Sequence, residues 1–465
     1  MLNYGENKML FKKYLIIFSI FYVYLSANDI TIQKEPKPLN EVFTTIGPNA
    51  EIKNMLDVYD NNDGVLDLKS LLEKAKDNYT LQGKNIAIKE AEATRDSVIG
   101  SYIPSLDIGY SFNSTKSYIN SWNKAFNAHQ AQASANWVIF DGASREFSLL
   151  SNNALVRAAI ADKGYSQESV FLQVISYYYQ YFSIKGQIIA MEQKKVNIAA
   201  NVARVQVLYD AGLEPLDSLE ALKAELSSTE YQLESLRLDF EQTKLQLSLF
   251  TNTNIDKLKL NEIKKPEEKE IQSLNITMQE EQALSVEYQI GTLTYWPTIS
   301  LFDTYYWNFK NNALDVYGTQ ESSFSMEQHP RHQNVFGLSI TWNIFSGFST
   351  NRQKEAFKLA NLRMQKDIAY AKEEQKNNIK FYKSSILAAL SQIDSAKASL
   401  KSATIAFDTV AQKYLSQLVS YNTYLDALIM KYNAESTYIQ SLNNYELQKA
   451  NYIFYSGQML LDYIN

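Results

Sequence analysis

The chain has 465 residues, 45% apolar and 21% charged, enough to bury a large core and too apolar for a disordered chain. Its 45 basic and 51 acidic side chains leave a formal charge of −6, which does not suit a general nucleic-acid binder. The lack of cysteine excludes disulfides, Cys-ligated zinc, iron–sulfur clusters and a thiol nucleophile; three histidines leave little for acid–base or metal chemistry.

Lys8, Lys12 and Lys13 precede the apolar run 14–25, and Ser26-Ala27 follows. That pattern reads as a secretory signal over 1–27, and the run is shorter than the about 20 residues a spanning helix needs. Residues 28–65 read as a lead or surface strap carrying Pro36 and Pro38. Asp60-Asn61-Asn62-Asp63-Gly64 imitates a calcium loop, but Tyr59 stands at the first ligand position and Ser70 where the bidentate Glu belongs, so a turn fits better.

A helix is expected over 67–100. No proline falls between 105 and 214 or after 330, and no glycine between 347 and 457, so very long helices are permitted. Val170, Val174, Tyr177, Tyr181, Ile184, Ile188 and Met191 alternate spacings of four and three. Such heptad seams mark packed, supercoiling helices. Further seams run Leu219, Leu222, Leu226 and Ile379, Tyr382, Ile386, Ala389, Ile393.

Between the helices lie runs of period two, expected as strands at about 104–114, 130–141, 298–308 and 334–346. Leu106, Ile108, Tyr110 and Phe112 alternate with Asp107, Gly109 and Ser111; Phe336, Leu338, Ile340 and Trp342 alternate with Gly337, Ser339 and Thr341. One apolar and one small polar face at this length suits a membrane barrel around water, with hairpin loops at about 114–129 and 308–333. Four strands cannot close alone, and open edges are not tolerated in lipid, so three copies sharing a 12-stranded barrel are expected.

Landmarks recur at a fixed offset. Trp137-Val138-Ile139-Phe140 and Trp342-Asn343-Ile344-Phe345 lie 205 residues apart, as do Val174 and Ile379, and Tyr209 and Tyr414. Tyr102-Ile103-Pro104 and Tyr295-Trp296-Pro297 lie 193 apart. One unit is used twice, repeat 1 over 66–265 and repeat 2 over 266–465. The predicted fold is mainly α with a membrane β-barrel: two structural repeats, each of two strands plus long coiled-coil helices.

These landmarks in this order resemble the TolC family of outer-membrane efflux proteins over about 66–462. The matching pieces are 102–107, Trp-x-Ile-Phe-x-Gly at Trp137 and Trp342, Ala211-Gly212-Leu213, Asp217 to Ala221, Leu425-Asp426-Ala427 and Tyr432-Asn433-Ala434. The resemblance implies a homotrimer in the outer membrane with a periplasmic helical tunnel and an equatorial region at about 252–290 and the C-terminal end. It implies a passive exit duct of a tripartite efflux pump or type I secretion system, exporting drugs or proteins. The implied partners are a periplasmic adaptor (membrane fusion) protein and an inner-membrane RND or ABC pump.

Family ducts taper at helical turns, here about 210–220 and 415–426. Repeated three times, carboxylates at Asp217, Glu220 and Asp426 would make rings that favour cations, so these residues and Thr423 are the expected constriction. Acids at a helix start also suit the helix dipole without any role in the pore. Thr423 stands where the family's first inner-turn aspartate belongs, Val419 aligns with its arginine, and its glycine is replaced near Gln417 and Leu418. The adaptor-docking tip implied by the resemblance is Gly212, Leu213, Glu214, Gln417 and Leu418; Gly212 also reads as a helix C-cap. Glu327, His329 and His332 lack an evident fourth metal ligand, and no catalytic motif occurs, so no metal, cofactor, nucleic-acid partner or enzyme activity is expected. The alternative is a surface or periplasmic structural coiled-coil protein without a pore.

Overall fold

The computed structural model describes residues 66–119, 122–309, 331–416 and 418–464, all within one unit, Pro48–Asn465. The expected signal, the strap up to 65, the calcium-like loop, Glu327, His329 and Gln417 lie outside the described residues.

Asp67 accepts a hydrogen bond from the Ser70 N–H and starts α1 (Leu68–Ala75); Asn78 accepts from Thr80 N–H and starts α2 (Tyr79–Gly100). The single helix expected over 67–100 is therefore two. A local Asx bond at Asn78 competes with helix continuation, and the break turns Leu68, Leu71 and Leu72 into the core. Strands β1 (Ser105–Ile119) and β2 (Trp122–Phe140) follow, then α3 (Ser144–Asp210), α4 (Leu216–Thr251) and α5 (Leu274–Thr292). Next come β3 (Thr298–Asn308), β4 (His332–Thr341), α6 (Ser349–Leu415), α7 (Tyr421–Tyr455) and a 3-10 turn, Leu460–Tyr463. The helices α3 and α6 each contain 67 residues, roughly 100 Å at 1.5 Å per residue. No described helix is long and apolar enough to cross a membrane.

The strands form one antiparallel sheet in the order β1-β2-β3-β4, with β1 and β4 at its edges. Pairing of β1 with β2 runs unbroken from Ser105↔Asn136 to Ile119↔Trp122, so most of the stretch expected as a hairpin loop is ladder. Strand β4 stops at Thr341, opposite Thr298, short of the expected 346. The next partner would be Pro297, which has no N–H to give.

Directly paired residues share a face. Leu106, Ile108, Trp137, Leu301, Phe336, Leu338 and Ile340 lie on one face, and Ile108 is 90% exposed. Asp303 interrupts that face between Ala135 and Phe336. The other face carries Asp107, Gln132, Ser134 and Thr304, and the Gln130 amide donates to Asn308 at 3.0 Å. The Phe302 ring covers Gly337 so closely that a Cβ there would sit 2.6 Å from it.

The duplication is atomic in detail. The Trp137 indole donates to Tyr102 O and the Trp342 indole to Tyr295 O, both at 2.9 Å. Each long helix is entered through two left-handed residues, Gly142-Ala143 and Gly347-Phe348. Ser144 and Ser349, the helix starts, are 349 − 144 = 205 apart.

Midway along α3 the chain builds a hub. Phe171, Ile175, Tyr178 and Phe182 are fully buried against α1, Leu258, Ile263, Ile453 and Ile464. Each such side chain stabilises the fold by about 1.5–3 kcal/mol. The region expected as equatorial divides in two: 274–292 is α5, packed along α3 and α6, while 252–273 runs outside helices and strands and is pinned to the hub. Tyr178 accepts from Asn261 N–H at 2.8 Å and donates to Lys259 O; Tyr179 donates to Asn261 O at 2.8 Å. Glu446 accepts from Ile263 N–H at 2.7 Å while Lys449, 2.8 Å from the same carboxylate, donates to Ile263 O at 2.6 Å. Glu168 accepts from Leu460 N–H at 2.9 Å, and burial pushes its carboxyl up to about 7.

Candidate functional site: the paired helical turns

At its far end α3 turns into α4 through a Schellman motif: Leu213 N–H donates to Leu208 O and Gly212 N–H to Tyr209 O, each at 2.8 Å. Gly212 takes φ +73°, a conformation that favours glycine, and nothing lies within 4 Å of where its Cβ would stand. The C-cap reading of Gly212 is thus its local role. Leu213 and Leu216 are 72% and 51% exposed, an apolar prominence at the turn. Pro215 precedes the first residue of α4, and Asp217 sits in its first turn, where a carboxylate suits the dipole. Glu214 is half-buried, whereas Asp217 and Glu220 are exposed, and Glu220 pairs with Lys223 at 3.0 Å.

The second turn joins α6 to α7. Leu418 N–H donates to Lys413 O at 2.9 Å, and Ser420 caps α7 by accepting from Thr423 N–H. Ser420 and Thr423 share a hydroxyl contact at 3.0 Å. Thr423 and Asp426 are exposed on α7, and Leu418 is 75% exposed. Among the described residues, no hydrogen bond or ion pair joins the predicted constriction residues of one turn to those of the other.

Tyrosines unite the turns instead. Tyr414, Tyr421 and Tyr424 pack with Leu428 and Tyr432 against Ile198, Val205, Leu219 and Leu222 of the first hairpin. Tyr414 stacks on Tyr424 at 4.8 Å, and the Arg204 guanidinium lies 5.1 Å over the Tyr414 ring. Asn197 donates to the Tyr432 hydroxyl at 2.6 Å. The Tyr421 hydroxyl is buried with no hydrogen-bond partner. Burial pushes the phenols of Tyr414 and Tyr421 up, so both stay neutral near pH 7. Sequence reasoning aimed at carboxylates missed this cluster. Its signal was present as Tyr414, Tyr421 and Tyr424, spaced seven and three, which carries the seam through the turn.

The helices above are tied by ion pairs between α3 and α4: Lys194–Glu225 at 2.8 Å, Lys195–Glu230 at 3.0 Å and Arg237–Glu192 at 3.0 Å. No cluster of three or more metal-ligating side chains occurs among the described residues. His332 pairs with Trp307 across the sheet.

Residues 71–253 match the family model for outer membrane efflux proteins. The fold is that of solved outer-membrane channels. The Campylobacter jejuni CmeC channel aligns at a TM-score of 0.72 with 16% identity, covering 87% of this chain and 88% of that one. CusC aligns at 0.70 with 15% identity, covering 84% and 92%. VceC of Vibrio cholerae aligns at 0.68 with 13% identity, covering 84% and 96%. No curated protein matches the sequence.

Proposed function

We propose, from the premise that this chain has the TolC-family channel fold and carries an outer membrane efflux protein domain over 71–253, that three copies form a passive exit duct in the outer membrane. The observation that carries the reading is the sheet. Asp303 apart, its apolar face is bare, its opposite face is largely polar, and both edges are open. Such a sheet is stable in lipid only when copies pair edge to edge, and three copies give 12 strands around water. The long helices then extend into the periplasm as a tunnel. Tyr231, Leu238 and Leu245, seven residues apart on α4 and 78%, 70% and 69% exposed, supply an unpaired seam for the next copy.

The duct serves a tripartite efflux pump or a type I secretion system. Its adaptor docks at the turns, on Gly212, Leu213, Glu214, Gln417 and Leu418, with the exposed Leu213 and Leu418 as apolar anchors. An RND or ABC pump in the inner membrane supplies the energy. Asp217, Glu220, Thr423 and Asp426 ring the narrow end, and the tyrosine cluster holds the two hairpins together there.

Negative-stain imaging of protein extracted from outer membranes tests this. The expected particle is a tapered rod of roughly 140 Å, about 100 Å of helix plus a membrane-spanning barrel, with threefold end views. A compact monomer, or a fibre without a barrel, would overturn the reading.

A further inference from the structure

Three helices lie side by side above the turns, with α3 between α4 and α7. One side of this layer carries the hub. The other carries a cavity of about 690 Å³, within the roughly 300–1,000 Å³ of small-molecule sites. On α3 the hub residues Phe171, Ile175, Tyr178 and Phe182 define one face. Gln180 and Gln187, which line the cavity, are turned from that face by about 150–170° at 100° per residue, and Ser183 by about 110°.

The lining is amide-rich. Gln180 and Gln187 come from α3, Gln242 and Gln246 from α4, Asn443 and Asn444 from α7, and Asp239 is its ionisable carboxylate. Asn443 is fixed by donating to Ser183 at 3.0 Å. Among the described residues, no partner engages the amides of Gln180, Gln187, Gln242 and Gln246. A coiled-coil surface exposed to water is ordinarily charged, as the ion pairs lower on α3 and α4 are. Here side chains that each both donate and accept replace charge on three successive helices.

We propose that this groove is a binding site for uncharged, hydroxyl-rich solutes, oligosaccharides in chemical class. Sugar hydroxyls also donate and accept, so they match free carboxamides in pairs without desolvating a charge. The half-buried ring of Tyr177 at the cavity wall adds apolar surface for a sugar face. An extended polypeptide could also bond to amides, but its charged side chains would find one carboxylate and no basic partner in the lining. The placement of the site rests on the duct reading. Three copies of the hub inside a tunnel would fill it, so the hub belongs outside and the groove faces the lumen, in the path of cargo.

Titration calorimetry of the detergent-solubilised full chain with maltohexaose, beside ion current through the same protein in a planar bilayer, tests both readings separately. Maltohexaose should bind and should reduce the current. Gln242→Leu combined with Gln246→Leu replaces surface amides by a good helix former. It should weaken binding about tenfold, the loss of one to two hydrogen bonds, with open current unchanged. A normal current with no maltohexaose binding, binding untouched by the double variant, or binding of a neutral Gly-Ser peptide in place of the sugar would each overturn the proposal. Sugar binding by a protein that conducts no current would keep the groove and sink the duct.

Discussion

The hub, midway along α3, and the tip, at its end, are held by different chemistry. At the hub, directional bonds staple extended chain to α3 and α7: two tyrosine hydroxyls, a buried Lys–Glu pair and a carboxylate on Leu460 N–H. The buried Oδ1 of Asn261 is unmatched there, yet its backbone is bonded on both sides. At the tip, rings lie on rings and a guanidinium, and the Tyr421 hydroxyl is left unmet. Directional buried bonds fix one geometry. Stacked rings slide at small cost, and an unmet hydroxyl gains when water reaches it. The difference separates a collar fixed in one geometry from an end free to rearrange.

The strongest blow to the comparison is at the hub. Lys449→Met leaves the Glu446 carboxylate buried without its cation and should cost about 3–5 kcal/mol, read as a lowered unfolding temperature. A loss no greater than that of an exposed lysine would show that the pair is not a staple. Next is Glu168. Its folded pKa, raised to about 7 from 4.5, means that its stabilising contribution is present below pH 4.5 and is lost as pH rises through about 7. Wild-type melting temperature should therefore fall between pH 5 and 8. Glu168→Gln, which still accepts from Leu460 N–H, should flatten that fall by a few degrees. An unchanged slope would assign the pH dependence to other groups.

At the tip the effects are smaller and of both signs. Arg204→Gln removes a ring contact worth about 0.5–2 kcal/mol and should raise single-channel conductance. Tyr421→Phe removes the stranded hydroxyl and should favour the closed end by about 1 kcal/mol, lowering conductance. Equal conductance in both variants would mean that the tyrosines pack the tip without gating it. The smallest stability effect belongs to Asp426→Ala, within about 0.5 kcal/mol for an exposed site. Its readout is weaker block by divalent cations, and unchanged block would remove Asp426 from the constriction.

Much of the fold was legible because long-range order had local signatures. A gap in proline marked α3, a gap in both proline and glycine marked α6, spacings of four and three marked their seams, and period two marked the strands. The recurrence of Trp137 at Trp342 exposed the duplication before its two indole bonds were seen. Other features had weaker signals. The break at Asn78 hangs on one side-chain cap inside otherwise helical sequence. The end of β4 depends on the proline across the ladder rather than on its own residues. At the tip, Asp217, Glu220 and Asp426 attracted attention because charge stands out in sequence, whereas the contact between hairpins is made by tyrosines that read as ordinary seam residues.

The tryptophans have a consequence of their own. All five, Trp122, Trp137, Trp296, Trp307 and Trp342, lie in the sheet or within a few residues of a strand, and none lies on the helices. The molecule is in effect labelled at one end. Indole emission will follow transfer of the sheet from detergent to lipid and remain silent about the turns at the far end of the helices. There, in a chain with no native cysteine, one introduced thiol can carry a dye whose signal belongs to that position.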